Sequence, residues 1–347
     1  MNPRTAASGG AWVLAALLLI LAPQIALTQA PGADASWTPP RTAWGDPDLQ
    51  GTYTNKTVTP LERPAEFADK PFLTAEEAVA YEKRLAGTRS ADSREGAGTD
   101  ADVSRAYNEF WWDRGTKVAG RQTSLVVDPP DGRIPPVTAE ARDRERFEAV
   151  RPTFRSTGAA GGRGADSWTD RSLFERCITR GMPGAMLPTA YNNTYRIVQA
   201  PGYVAIQMEM FPHVRIIPLD RRPPLGSDIR SWLGDSRGRW EGDTLVVEVG
   251  NLTDRAVFRG SAENMRMVER FTRTPDGSID YRVTVEDPTT FSRPWTAAVP
   301  MMATDEGLFE YACHEGNYGL EGILSAARAE EAAARRAGGL SLGNFGR

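Results

Sequence analysis

From about residue 194 onward, apolar and polar positions alternate in short, regularly interrupted runs. In "NTYRIVQAPGYVAIQMEMFPHVRIIPLD" three such runs are separated by Pro-Gly and Phe-Pro-His. "GRWEGDTLVVEVGNL", "NMRMVERFTRT", "GSIDYRVTVED", "WTAAVPMMAT" and "LFEYACHE" continue the series, each bounded by Gly, Pro, Asp or Asn. Period-two alternation of this kind is the mark of a strand with one buried face. Consecutive strands joined by short turns predict an antiparallel up-and-down meander. About eight such strands, with one more over Gly51 to Val58, are enough to close a small lipocalin-like barrel and remove its exposed edges.

The first half reads differently. "LTAEEAVAYEKRLAG" predicts a helix capped by Thr74, with Glu76 and Glu77 in its first turn. "TSLVVDPPDGRIPPV" predicts a hairpin: a strand from Thr123 to Val127, a Pro-Pro-Asp-Gly turn and a short return. Thr138 is placed to cap a charged helix reaching about Val150, and "STGAAGGRGAD" reads as a flexible connector. "EGILSAARAEEAAARRAGG" predicts an Ala-rich C-terminal helix. The expected fold is therefore mainly β, with N-terminal helical and hairpin insertions and a C-terminal helix. Its divisions are a leader over 1–30, an extended segment over 31–50, a single barrel-like domain over 51–320 with a cap insertion at about 60–165, and a helix and tail over 321–347. Two domains divided near residue 160 are the alternative.

Composition narrows the partners. The chain has 347 residues and a formal charge of −4, with no domain-sized basic face, which argues against a dedicated nucleic-acid binder. Its first 30 residues combine Arg4, the apolar stretch "AWVLAALLLILAPQIAL" and small-residue cleavage sites, the pattern of a secretory signal. Export implies a periplasmic or secreted protein with no membrane span once the leader is removed. It also changes the reading of the two cysteines, Cys177 and Cys313, because two cysteines in an oxidising compartment usually pair. Two separate thiols, or a catalytic thiolate beside His314, are the alternatives.

Ionisable residues inside the strand runs are the candidates for chemistry. Glu269 in "MRMVERF" falls on the face of Met265, Met267 and Phe271, so it is either a proton-transfer group facing a polar cavity or a structural partner of an arginine. Glu209 and His213 flank a turn at Phe211-Pro212. If they share a face, they form a polar cluster with Gln207 and Arg215; if not, they are ordinary outer-face residues. Glu310 and His314 fall on one face of the run "LFEYACHE", where His314 is either a general base or a histidine holding a backbone group. "YNEFWWDRG" offers Tyr107, Trp111 and Trp112 as ligand-covering rings, and Arg180 and Arg215 suit an anionic or oxygen-rich group. The chain contains no nucleophile elbow, P-loop or dinucleotide fingerprint, and His213 and His314 lack local metal-ligand spacing. Neither a cofactor nor a metal is expected.

"PRTAWGDPDLQGTYTN", "WLGDSRGRWEGDTLVVE", "VERFTRTPDGSIDYRVTVEDPTTFSRPW" and "EYACHEGNYGLEGIL" resemble blocks of a family of exported bacterial proteins with no established activity. The resemblance covers most of the chain after the leader and implies export, but it assigns no catalytic residue. The expected function is an exported barrel that holds a small organic or sugar-like molecule. Such a protein is either a cofactor-independent acid/base enzyme (a lyase, hydratase, isomerase or hydrolase) or a non-enzymatic carrier or sensor. An envelope interaction protein is the third reading.

Overall fold

The computed structural model describes residues 37–88, 98–99, 112–143, 165 and 167–339. The expected leader, Tyr107, Trp111 and most of the glycine-rich connector lie outside these residues. The body that begins at Thr38 carries two antiparallel sheets. The first has the order β11 (Met302–Ala303), β1 (Gly51–Thr54), β3 (Thr194–Ala200), β4 (Tyr203–Met208), β5 (Val214–Pro218). The second has the order β2 (Val126–Asp128), β10 (Trp295–Ala298), β9 (Ile279–Glu286), β8 (Arg266–Arg273), β7 (Thr244–Gly250), β6 (Asp235–Glu241). Helices α1 (Ala75–Thr88), α2 (Ala139–Asp143) and α3 (Tyr318–Gly339) lie outside the sheets. Thr74 and Glu77 cap α1 reciprocally: the Glu77 N–H donates to Thr74 Oγ1 at 3.2 Å and the Thr74 N–H to Glu77 Oε2 at 2.8 Å.

The inner faces of both sheets share one apolar core. Ile279, Tyr281, Val283 and Val285 of β9 are fully buried, and Val204, Ile206 and Met208 of β4 meet them from the other sheet. Burying each large aliphatic side chain contributes about 1.5–3 kcal/mol. The alternation that sends Met267 and Phe271 inward sends Glu269 inward with them, while Arg215 points inward from β5 beside Ile217. The sheets meet along two seams. At one, Met301 and Ile279 exchange backbone bonds of 2.9 Å as the chain passes from β10 to β11. At the other, β5 and β6 are the edges of their sheets and Gly238 admits the close approach. A Cβ there would stand 2.6 Å from Leu219 Cδ2 and 2.7 Å from Ile217 Cγ2.

Several expected elements differ: "WTAAVPMMAT" divides into β10 and β11 in different sheets, "GRWEGDTLVVEVGNL" folds as the β6–β7 hairpin, and two further runs form no strand. The run "LFEYACHE" forms no strand. β1 is flanked on one side by β11, with Tyr53 opposite Ala303 and Thr54 opposite Met302, and on the other by β3, and the Phe309 N–H donates to a side chain instead. Glu310 and His314 therefore share no strand face. The hairpin return after Pro-Pro-Asp-Gly also does not form: β2 pairs with β10, and Val137 bridges Phe291. In the second case a distant partner, β10, offered the ladder that the local return did not.

A buried carboxylate fixes the turn between β9 and β10. Asp287 Oδ1 accepts from the Thr289 N–H (2.9 Å) and hydroxyl (2.7 Å), and Oδ2 from the hydroxyls of Ser261 (2.6 Å) and Thr290 (2.8 Å). Burial by itself would raise its pKa, but the bonds from Ser261, Thr289 and Thr290 outweigh it and hold the group below its ordinary value. A depressed folded pKa means stability that is complete above the unfolded value of about 3.9 and is lost as pH falls through the folded value. Asp287→Asn is expected to cost about 1–3 kcal/mol at neutral pH, with the gap to the parent narrowing in acid. Urea melts from neutral to strongly acid pH check this, and parallel stability curves would refute it.

Candidate functional site

One end of the first sheet gathers residues from five separate parts of the chain. At its base is the turn Gly184–Met186, where the consecutive carbonyls of Ala185, Met186 and the following Leu187 receive three side chains. Tyr195 Oη donates to Ala185 O (3.1 Å), Asn55 Nδ2 to Met186 O (3.0 Å) and Arg180 Nη1 to Leu187 O (3.3 Å). Asn55 Nδ2 also donates to Tyr195 Oη at 3.2 Å, while Asn55 Oδ1 is buried with no partner. Strand alternation accounts for Tyr195, which points inward from β3 with Ile197. Burial pushes its hydroxyl up to about 12, with Arg180 opposing.

Arg180 is the unusual member. Only part of its surface meets solvent, and desolvation pulls its guanidinium below the ordinary value, opposed by the nearby Tyr195, Tyr191 and Tyr311. An arginine carries five N–H donors and stays charged in proteins. Among the described residues no Asp or Glu pairs with it, and its one protein acceptor is the Leu187 carbonyl. Its remaining nitrogens are not among the buried atoms left without partners, so they stay open to a ligand or water. A partly desolvated cation without an anion is costly, so a bound carboxylate or similar group would be stabilising here.

Aromatic rings form the wall beside it. Trp112 lies 6.2 Å from Tyr191, Tyr191 stacks on Tyr311 at 6.1 Å, and Phe211 meets Tyr311 edge-on at 5.1 Å. Phe174 extends the row, and Arg114 covers Trp112 at 4.2 Å. Cys177 and Cys313 pack into this cluster with their sulfurs at disulfide-bonding distance and their Cα atoms 5.6 Å apart. Glu209 ties the same corner together. Its Oε2 accepts the Thr194 N–H at 3.1 Å and its Oε1 the Phe309 N–H at 3.0 Å. A charge-assisted bond of this kind is worth about 1.5–3 kcal/mol, more than the roughly 0.5–1.5 kcal/mol of one ring contact. His213 Nε2 stands 3.0 Å from Ile178 O, and burial lowers its pKa despite that bond, which favours a neutral ring donating to the carbonyl.

The structure thus brings Arg180, Trp112, His213, Glu209, Cys177 and Cys313 to one corner and disperses the other candidates. Glu269 is fully buried between the sheets, bonded by Arg215 Nη1 (2.9 Å), by Arg215 Nη2 and by Tyr281 Oη (2.8 Å). Arg215 also reaches Ser236 Oγ at 3.1 Å. Gln207 lies on the outer face of β4, and exposed His314 lines an open cleft with Asn317, Leu320 and Arg328. Tyr191, Tyr195, Tyr311 and Asn55 carry no sequence motif that marks them. The one available signal is the cysteine pairing, which brings Tyr311, two residues before Cys313, toward Arg180, three residues after Cys177.

Among the described residues no group of three His, Cys, Asp or Glu side chains is arranged to hold a metal, and no helix is long and apolar enough to cross a membrane. Comparison with protein-family models, with curated proteins and with solved structures finds no match to this chain.

Proposed function

We propose that this is an exported protein, periplasmic or secreted, that holds a small organic anion at Arg180, with Tyr191, Tyr311 and Trp112 flanking its apolar part. The observation that carries the reading is the accounting at Arg180: one main-chain acceptor for five donors, no acidic partner among the described residues, and rings alongside. Apolar walls with a few fixed polar groups are the usual make-up of a small-molecule site. The leader pattern and the cysteine pair support export, as does the likeness of the later sequence blocks to exported bacterial proteins. The meander and the close approach of β5 to β6 support a flattened, lipocalin-like barrel. In this reading side chains fill its interior and the ligand sits at its rim. In this reading the partner is a small molecule and not nucleic acid, no cofactor takes part, and the protein has no membrane span once the leader is removed.

The test uses benzoate as a simple aromatic carboxylate and benzyl alcohol as its uncharged counterpart, by calorimetric titration. Benzoate should bind and benzyl alcohol much less. Arg180→Gln should weaken benzoate about ten- to hundredfold, the effect of losing a hydrogen bond to a charged group. Arg180→Lys should fall between, because it keeps the charge and loses the planar fork. Equal affinity for the two probes, or full affinity in Arg180→Gln, would overturn the reading.

Acid/base turnover of the bound molecule (lyase, isomerase, hydratase or hydrolase chemistry) is the second reading, favoured by the neutral His213 ring at the same corner. Glu269 has no place in it, since both its oxygens are held by Arg215 and Tyr281. Product formation by mass spectrometry that disappears in His213→Gln would support turnover over carriage.

A further inference from the structure

The cysteine pair sits where it can control the Arg180 site. Residues 304–317, between β11 and α3, form an arm with no helix or strand, and most of it is exposed. The arm contributes Tyr311, which stacks on Tyr191 and meets Phe211 edge-on. Its ties to the sheet end include the Thr304 N–H to Thr52 O at 3.0 Å, the Phe309 N–H to Glu209, the Lys56–Glu306 pair at 3.0 Å and the link from Cys313 to Cys177. Of these the Lys56–Glu306 pair is exposed to solvent and weak. Cys177 holds a left-handed backbone (φ 57), an uncommon state for a non-glycine residue that surrounding structure must maintain. Asn317, which caps α3 through the Leu320 N–H (3.3 Å), donates to Glu175 O at 3.2 Å and to Cys177 Sγ at 3.4 Å. The same link therefore seats the start of α3.

We infer that the Cys177–Cys313 disulfide is a redox-sensitive latch: closed, it holds Tyr311 in the wall of the Arg180 site, and opened by a dithiol it frees the arm and weakens ligand binding. This rests on the anion-binding reading for its consequence, but not for the latch itself. Cys313 is half-buried and Cys177 buried, so the dithiol reaches Cys313 first. One thiolate of the dithiol attacks Cys313 Sγ, forming a mixed disulfide, and Cys177 leaves as a thiolate that takes up a proton. The second thiolate of the dithiol then attacks its own linked sulfur, and Cys313 leaves and is protonated. Two electrons and two protons pass to the protein, and the dithiol ends as a cyclic disulfide.

The experiment compares oxidised protein with protein reduced by dithiothreitol, at a temperature where far-ultraviolet circular dichroism is the same for both. Amide exchange is read at Phe309, Tyr311 and Cys313, and benzoate is titrated in each state. Reduction should speed exchange at those amides and weaken benzoate about three- to tenfold, the range for losing one aromatic contact. Tyr311→Ala, with the disulfide intact, should show the weakened affinity already and no further change on reduction. Unchanged amide exchange on reduction would overturn the latch whatever benzoate does. Tighter benzoate binding after reduction would overturn it too, because the arm would then be obstructing the site. If benzoate binds neither state, the anion-site reading falls and amide exchange alone decides the latch.

Discussion

Arg215→Met is expected to lower the unfolding free energy by about 3–5 kcal/mol, the cost of leaving a buried charge without its partner. Arg215 comes from the first sheet, and Glu269 and Tyr281 from the second, so the bonded group spans the core between them. Desolvation alone would lower the Arg215 pKa, but the Glu269 carboxylate outweighs it and raises it. Burial likewise raises the Tyr281 hydroxyl well above its ordinary value, so it stays a donor. With Arg215 gone, Glu269 keeps only Tyr281 and must either carry an uncompensated charge or take a proton. Replacing both charges, as Arg215→Met with Glu269→Leu, should recover most of the loss, since well-packed apolar residues often substitute for a buried pair at little cost. Urea unfolding of the two single variants and the double variant checks this as a thermodynamic cycle. A double variant as unstable as either single one would show that the pair supplies stability that apolar packing cannot.

Replacing Cys177 and Cys313 together with serine is expected to cost about 4–5 kcal/mol in the same measurement. The two cysteines are 136 positions apart, so the link removes many conformations from the unfolded chain. The folded body keeps its shared core between the sheets, so this large loss should accompany a nearly native circular dichroism spectrum. The denaturant midpoint should move while the parent, on reduction, shifts to match the variant. A loss of less than about 1 kcal/mol would mean that the unfolded chain is barely restricted by the link.

Much of the fold was legible in local pattern. β3, β4, β8 and β9 follow the alternation that predicts them, and Thr74 caps α1 as its position implies. Glu269 was legible as an inward carboxylate for the same reason, and an arginine as a partner was among the expectations, but nothing in the sequence pointed to Arg215 as that arginine. The run around Tyr311 alternates as well as a strand does, yet no sheet takes it in, and β1 is flanked by β11 and β3. Competition for an edge is settled by the whole sheet, and no short window of residues records it. Arg180 looked like any turn arginine. What sets it apart is the company of Tyr191, Tyr195 and Tyr311, the last contributed by a stretch far from it in the chain.

By itself, then, the amino-acid order determined most of the runs that become strands, which side of each is apolar, and that two cysteines were available to join distant segments. These depend on neighbours two to four positions away, and the chain carries that information locally. Only the tertiary structure decided that Glu269 meets an arginine, that Gln207 faces outward while Arg215 faces in, and that Arg180 is left with unmatched donors beside a row of rings. Those outcomes depend on which sheet faces lie opposite one another and which chain segments meet at their ends, and they are set by packing between separate segments, as between Arg215 of β5 and Glu269 of β8.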